Sequence, residues 1–267
     1  MIARLAGASF RAALVAATLV VPALTLPDVS NNAAELAILT ASLAAAFVII
    51  EYGFQTPSFI EFRFAAPYNR FRFAILFALL VSLTVVFQQP ILDAGNSIVV
   101  TGLAATLFEF WDFSASPVLF FVALAEPMGA EGQLLVGKAA SVAMTVTVAG
   151  LVIFSFIMLT FSWPLTQDTF NLWTNMPTFD TAGGAAAQAT LRNSAFMSVL
   201  IGLALPYLAP QAALAFMGPL QPINTGNSLL LVWMIAIWCF VPAVSILRAV
   251  ALYKVAHLLA QEDVPQG

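Results

Sequence analysis

The stretch AASVAMTVTVAGLVIFSFIMLTFSW, residues 139–163, determines the fold class of this chain. It contains no charged residue and is longer than the roughly 20 apolar residues that an α-helix needs to cross a bilayer. Small residues recur at every fourth position, as Ala139, Ala143 and Thr147, and such a face lets neighbouring helices approach closely. The sequence therefore predicts a central transmembrane helix here.

The surrounding sequence has the same character. No lysine or arginine occurs anywhere in 139–191, and the whole chain is 61% apolar and only 8% charged. A soluble domain of this size cannot cover its surface with so few charges. We predict an all-α fold, a polytopic integral membrane helix bundle that forms a single membrane-embedded domain over residues 1–267.

The number of crossings depends on one ambiguous region. Apolar segments predict about seven crossings, but the fourth, at 98–125, is interrupted by polar residues and neither half spans a bilayer alone. The alternative is six crossings with a re-entrant pair at 98–130. The segments are about 10–27, 33–52, 73–92, 98–125, 139–163, 185–205 and 228–247, and Pro206 and Pro210 are expected to kink or stop the sixth.

The basic residues predict the orientation. The loop 51–72 holds three of the nine lysines and arginines, so we predict that it is cytoplasmic, together with the amino terminus. With seven crossings, alternation makes 164–184 an external loop, and six crossings reverse that side. Arg248 and Lys254 make 248–267 a cytoplasmic or interfacial tail. Seven crossings would put that tail outside, whereas six would put Lys138 outside. The expected location is a bacterial inner (plasma) membrane.

The loop 51–72 is the first candidate site. Aromatic rings and guanidinium groups alternate in it, and arginine binds phosphates or carboxylates while aromatic side chains sit at the headgroup level. The loop is either a simple membrane anchor or a docking surface for lipid or a partner membrane protein. Its candidate residues are Phe59, Phe62, Arg63, Phe64, Arg70 and Arg72.

The second candidate is an ion or proton site. Glu109 and Asp112 are three residues apart and would share a helix face, and ionisable groups at membrane depth are functional by default. Gln88 could line a polar path, and Arg192 could pair with either carboxylate. The alternative is that all four side chains reach water at segment ends.

Several classes of function are disfavoured. One histidine and one cysteine leave no metal site, and the sequence predicts no cofactor and no catalytic residue. The net charge of −4 argues against nucleic acid as a partner. We therefore do not expect an enzyme.

Two functions remain. The first is a non-catalytic accessory, assembly or scaffold subunit of a membrane complex, which the scarcity of polar groups and the loop 51–72 favour. The alternative is a small-solute or ion permease that uses the polar groups near Glu109, Asp112, Gln88 and Arg192. A permease requires these groups to share a polar cavity, and a scaffold does not.

Overall fold

The computed structural model describes residues 2–54, 60–63, 65–88, 94–161, 163, 185–217 and 227–262. These residues form α-helices and one 3-10 helix, and no strand occurs among them. The helices are α1 Ile2–Thr25, α2 Asn31–Gly53, α3 Tyr68–Phe87, α4 Ala94–Trp111, α5 Pro117–Val122, the 3-10 helix Ala123–Met128, α6 Gly129–Thr160, α7 Ala185–Met217 and α8 Ser228–Glu262.

An all-helical bundle of long apolar helices is confirmed. Six helical stretches in the described part of the chain are long and apolar enough to cross a membrane, with α5, the 3-10 helix and α6 counted as one continuous stretch. The predicted segment 98–125 is different: it divides among α4, α5 and the 3-10 helix, and α4 contributes only the shorter apolar helix Ile98–Trp111.

The prolines of α7 do not end it, contrary to one of the two outcomes expected from the sequence. Pro210 has no N–H to donate to the carbonyl four residues earlier, which belongs to Pro206. The indole N–H of Trp238 on α8 donates to that carbonyl instead, at 2.9 Å. A neighbouring helix thus satisfies the backbone group that proline leaves unpaired, and α7 continues to Met217.

The helix α6 occupies the centre of the bundle, as its small-residue face predicts. Ala139, Ala143 and Thr147 are all buried, and α6 packs against α3, α4, α5 and α8. Where α3 crosses, Gly150 lies directly against Ile75. The small residues of α6 therefore allow close contact with the neighbouring helices, as the sequence pattern predicts.

One end of the bundle gathers most of the positive charge, and we call it the basic end. It is marked by the ion pair between Arg248 on α8 and Glu61 in the loop before α3. Eight of the nine lysines and arginines lie in the segments that meet there, while Lys138 lies in the opposite half of α6. The eight are Arg4, Arg11, Arg63, Arg70, Arg72, Arg192, Arg248 and Lys254.

The opposite end carries the turn between α1 and α2 and the beginning of α8. The carboxylate of Asp28 accepts hydrogen bonds from the backbone N–H of Ser228, at 2.9 Å, and from its hydroxyl. The amide of Gln88, just past α3, donates to the carbonyl of Thr25 at 2.9 Å. The helices α1, α3 and α8 are therefore fixed to one another at this end.

From α4 to the start of α6, the chain enters the bundle at the opposite end and then returns to that end. The indole of Trp111, the last residue of α4, donates to the hydroxyl of Thr145, at 2.9 Å. Thr145 lies 16 residues after Gly129, where α6 begins, which is about 24 Å of helix. The chain must cover that distance backwards between α4 and α6, and α5 with the 3-10 helix provides the return.

The two loops predicted to lie on opposite sides begin and end at one end of the bundle. Trp163, after α6, packs on Phe62 with ring centroids 5.7 Å apart. On α7, Ser198 contacts Arg248 at 3.2 Å, and the helix begins further along in the same direction. The residues 164–184 lie outside the described part, but both flanks are at the basic end, as is the loop 51–72. The side of the membrane on which 164–184 lies stays a prediction, which the seven-crossing and six-crossing alternatives make differently.

Candidate functional site

The loop 51–72 folds inward at two of its predicted docking residues. Phe62 is completely buried between Tyr68 and Trp163, with ring centroids 4.8 and 5.7 Å away. Its φ of 55° places it in the left-handed region, which is uncommon for a bulky residue. Phe62 therefore belongs to the core of the basic end.

Arg63 is also directed into the protein. Its guanidinium donates to the carbonyl of Glu51 and, at 2.9 Å, to the carbonyl of Phe54. These carbonyls belong to the last turn of α2 and its cap, which lack partners within the helix. Burial lowers the pKa of Arg63, and the charge of Glu51 partly offsets this. The two hydrogen bonds make the guanidinium a cap at the end of α2.

Two further docking candidates, Arg70 and Arg72, lie on α3 and are not directed into the core. Arg70 is exposed on the first turns of α3, and Arg72 donates to the side-chain oxygen of Asn69 at 3.2 Å. The guanidinium of Arg72 also lies 5.7 Å from the ring centroid of Tyr68. Phe59 and Phe64 lie outside the described residues. Only Arg70 and Arg72 of the described candidates are therefore available to a ligand.

A cavity of about 600 Å³ opens beside these arginines at the basic end. Residues from α1, α2, α3, α8 and the loop before α3 line it, so tertiary packing creates it from five separate segments. Arg11 of α1 contributes to the wall, with its guanidinium 5.1 Å from the ring centroid of Tyr52. Arg11 was not among the predicted residues because nothing in the linear pattern links α1 to the loop 51–72, and Tyr52 was not singled out within that loop.

The predicted ion-site residues do not share a cavity. Gln88 lies at the opposite end, bound to Thr25, and Arg192 is exposed near the start of α7, close to the basic end. Glu109 and Asp112 are exposed at the end of α4 and after it. Among the described residues, Arg192 forms no ion pair with either carboxylate, and no group of three potential metal ligands occurs.

The depth of Glu109 and Asp112 follows from the helices beside them. Because α3 and α6 are antiparallel with Ile75 opposite Gly150, the end of α3 at Phe87 is level with position 138 of α6. Trp111 is level with Thr145, seven residues or about 10 Å further into the bundle. Phe108, next to Glu109, lies against Gly137, which is level with the end of α3. The two carboxylates therefore lie between the end of α3 and a level about 10 Å inside it.

The outer face of α4 is apolar and uncovered by other described residues. On the inner face of α4, Phe108 packs against Gly137 of α6 and Trp111 donates to Thr145 of α6. The side chains on the other side of α4 are exposed. This exposed face, which we call the α4 face, consists of Ile98, Val99, Leu103, Glu109, Phe110 and Phe113. It combines large apolar side chains with a carboxylate.

No protein-family model matches the chain, and neither a curated protein nor a solved structure is significantly similar to it.

Proposed function

We propose that the chain is a non-catalytic accessory subunit of a membrane complex, in which the α4 face contacts a partner membrane protein. Six helices cross the membrane, with the basic end in the cytoplasm, and α4 and α5 form a re-entrant pair from the other side. This orientation follows from the rule that basic residues stay inside, since eight of nine are at one end.

One observation carries the proposal: Glu109 and Asp112 are exposed between the end of α3 and a level about 10 Å inside the bundle. A carboxylate that faces lipid costs free energy that increases with its depth, unless a polar or basic group meets it. Among the described residues, this chain supplies no ion pair to either one. A partner subunit that brings such a group to the α4 face would remove the cost.

A permease is the second candidate because it uses the same carboxylates. In that case Glu109 and Asp112 would contact water and a transported cation in place of a partner protein. The distribution of polar groups favours the accessory subunit, since Gln88 and Arg192 lie at opposite ends of the bundle and away from both carboxylates.

Purification in mild detergent from the cells that make this protein tests the proposal. We expect a stoichiometric membrane partner that Glu109→Gln weakens, together with an ultraviolet cross-link to it from a photoreactive residue at Phe110. The matched controls are Glu35→Gln, an exposed carboxylate on α2, and a photoreactive residue at the exposed Phe156 on α6.

A chain that purifies alone, with no protein cross-link from Phe110, would contradict the accessory role. Loss of cation uptake into vesicles on Glu109→Gln, with Glu35→Gln active, would identify the permease instead. Labelling of cysteines introduced at Glu131 and at His257, in a chain with Cys239→Ala, tests the orientation, since we expect them on opposite sides of the membrane.

A further inference from the structure

The cavity at the basic end has an unbalanced charge. Four guanidinium groups line it, and none of its lining residues is acidic. The arginines are Arg11, Arg63, Arg70 and Arg72, which come from α1, α3 and the loop between α2 and α3.

The carboxylate nearest to this group in sequence is already engaged. Glu61 accepts two hydrogen bonds from Arg248, at 2.8 and 2.9 Å, and this bidentate geometry uses both of its oxygens. Among the described residues, no carboxylate forms an ion pair with Arg11, Arg70 or Arg72. Glu51, next to the lining residue Tyr52, acts on Arg63. The positive charge that remains available to an anion is therefore that of Arg11, Arg70 and Arg72.

Below the arginines, the cavity is apolar. Val15, Val48, Leu76 and Phe240 line this part, which lies among the apolar helices. Phe240 is eight residues before Arg248 on α8, so the lining reaches about 12 Å from the basic end toward the middle of the bundle. The volume of about 600 Å³ lies within the range of small-molecule sites.

We propose that this cavity binds one anionic phospholipid. The phosphate is bound by Arg70 and Arg72 of α3 with Arg11 of α1, and Tyr52 and Asn69 provide polar groups near it. An acyl chain fills the apolar part. Arginine suits the phosphate because its planar guanidinium binds two oxygens at once.

The shape of the cavity favours a lipid over the other anions that arginines bind. A soluble phosphate would leave the apolar part empty, and an acidic peptide would meet apolar side chains below the arginines. This inference rests on the proposed orientation in one respect only: the basic end must face a leaflet that contains anionic lipid.

Native mass spectrometry of the full chain, released from detergent micelles, tests the proposal without a membrane or a partner. Titration with dioleoylphosphatidylglycerol should give one tightly bound lipid per chain. Dioleoylphosphatidylcholine, which has the same acyl chains but no net charge, should bind at least about tenfold more weakly, because its choline offsets the phosphate charge.

Two double variants with the same net charge separate the cavity from general surface charge. Arg70→Gln with Arg72→Gln should weaken the binding of phosphatidylglycerol at least about tenfold. Arg192→Gln with Lys254→Gln removes two charges from the basic end outside the cavity lining and should leave binding unchanged. Equal losses in both variants would overturn the proposal.

The apolar part has its own test. Leu76→Trp should fill the space for the acyl chain and weaken lipid binding while the arginines remain, and Val148→Trp, on an exposed part of α6, is the matched control. If Leu76→Trp unfolds the chain, competition decides: free glycerol phosphate should not displace the lipid. Displacement by glycerol phosphate at comparable concentration would show a site for a soluble anion and overturn the proposal.

Discussion

The two ends of the bundle hold α8 in place by opposite chemistry. At the basic end, Arg248 on α8 reaches out to the carboxylate of Glu61. At the opposite end, Asp28 accepts hydrogen bonds from Ser228, the first residue of α8, where the positive end of the helix dipole favours an anion. At each end, a carboxylate outside α8 therefore binds a positive group of α8: the Arg248 side chain at one end and the helix N-terminus at the other.

The two ends also differ in how completely their charged side chains are paired. Asp28 binds a helix terminus, whereas the arginines of the cavity outnumber the carboxylates that could pair with them. The opposite end is therefore structural, and the basic end combines a structural ion pair with a potential anion site.

The largest effect is expected between the two ends, where α7 packs on α8. Gly202→Val places side-chain atoms where a Cβ would already lie 2.5 Å from Ile246 and 3.1 Å from the carbonyl of Pro242. Such overpacking should lower the free energy of unfolding by about 2–3 kcal/mol. Thermal unfolding in detergent, followed by tryptophan fluorescence, measures it. Gly102→Val, where no atom lies within 4 Å of the new Cβ, is the control, and equal effects would contradict the packing.

Breaking the ion pair at the basic end should have the next largest effect. Glu61→Ala leaves the half-buried guanidinium of Arg248 with Ser198 as its described partner, at 3.2 Å. We expect a loss of about 1–2 kcal/mol in the same unfolding measurement, because charged hydrogen bonds are lost without replacement. Glu35→Ala on the exposed surface of α2 should change little. A loss no larger than that of Glu35→Ala would show that the pair contributes nothing.

A smaller effect is expected at the opposite end, where it should also depend on pH. Partial burial would raise the pKa of Asp28, but the hydrogen bonds from Ser228 outweigh it and hold the pKa below 3.8. The carboxylate therefore contributes stability above about pH 4, and the contribution disappears as the pH falls through the lowered pKa.

Asp28→Asn removes this charge and should cost about 0.5–1 kcal/mol at pH 7, as for a weakened helix cap. The difference in melting temperature between the native chain and the variant should shrink from pH 6 toward pH 3. A difference that stays constant over this range would show that ionised Asp28 does not stabilise the start of α8.

The smallest effect is expected from Gln88→Ala. This substitution removes one exposed hydrogen bond to the carbonyl of Thr25 and should lower the free energy of unfolding by about 0.5 kcal/mol. A loss above that of Asp28→Asn in the same unfolding assay would mean that the contact between α1 and α3 is the main attachment at the opposite end.

Much of the fold could be predicted from hydropathy. The long apolar segments became helices, and the small-residue face of 139–163 became the central contact surface, because helix formation and close packing in α6 depend on local sequence. The ends of helices were less predictable: α7 continues through Pro206 and Pro210 because Trp238, 32 positions away, satisfies a backbone carbonyl.

The all-helical fold could be read from the composition, since a chain with 8% charged residues and long apolar segments is expected to satisfy its backbone polar groups within helices. The arginines of the loop 51–72 could also be identified as candidate docking residues from the sequence. The packing of the helices shows which of them are structural, because Arg63 caps α2 while Arg70 and Arg72 lie with Arg11 at a cavity. It also decided the path of the chain from α4 to α6. Both depend on contacts between helices that lie far apart in sequence, and a linear pattern of apolar and charged residues carries no information about them.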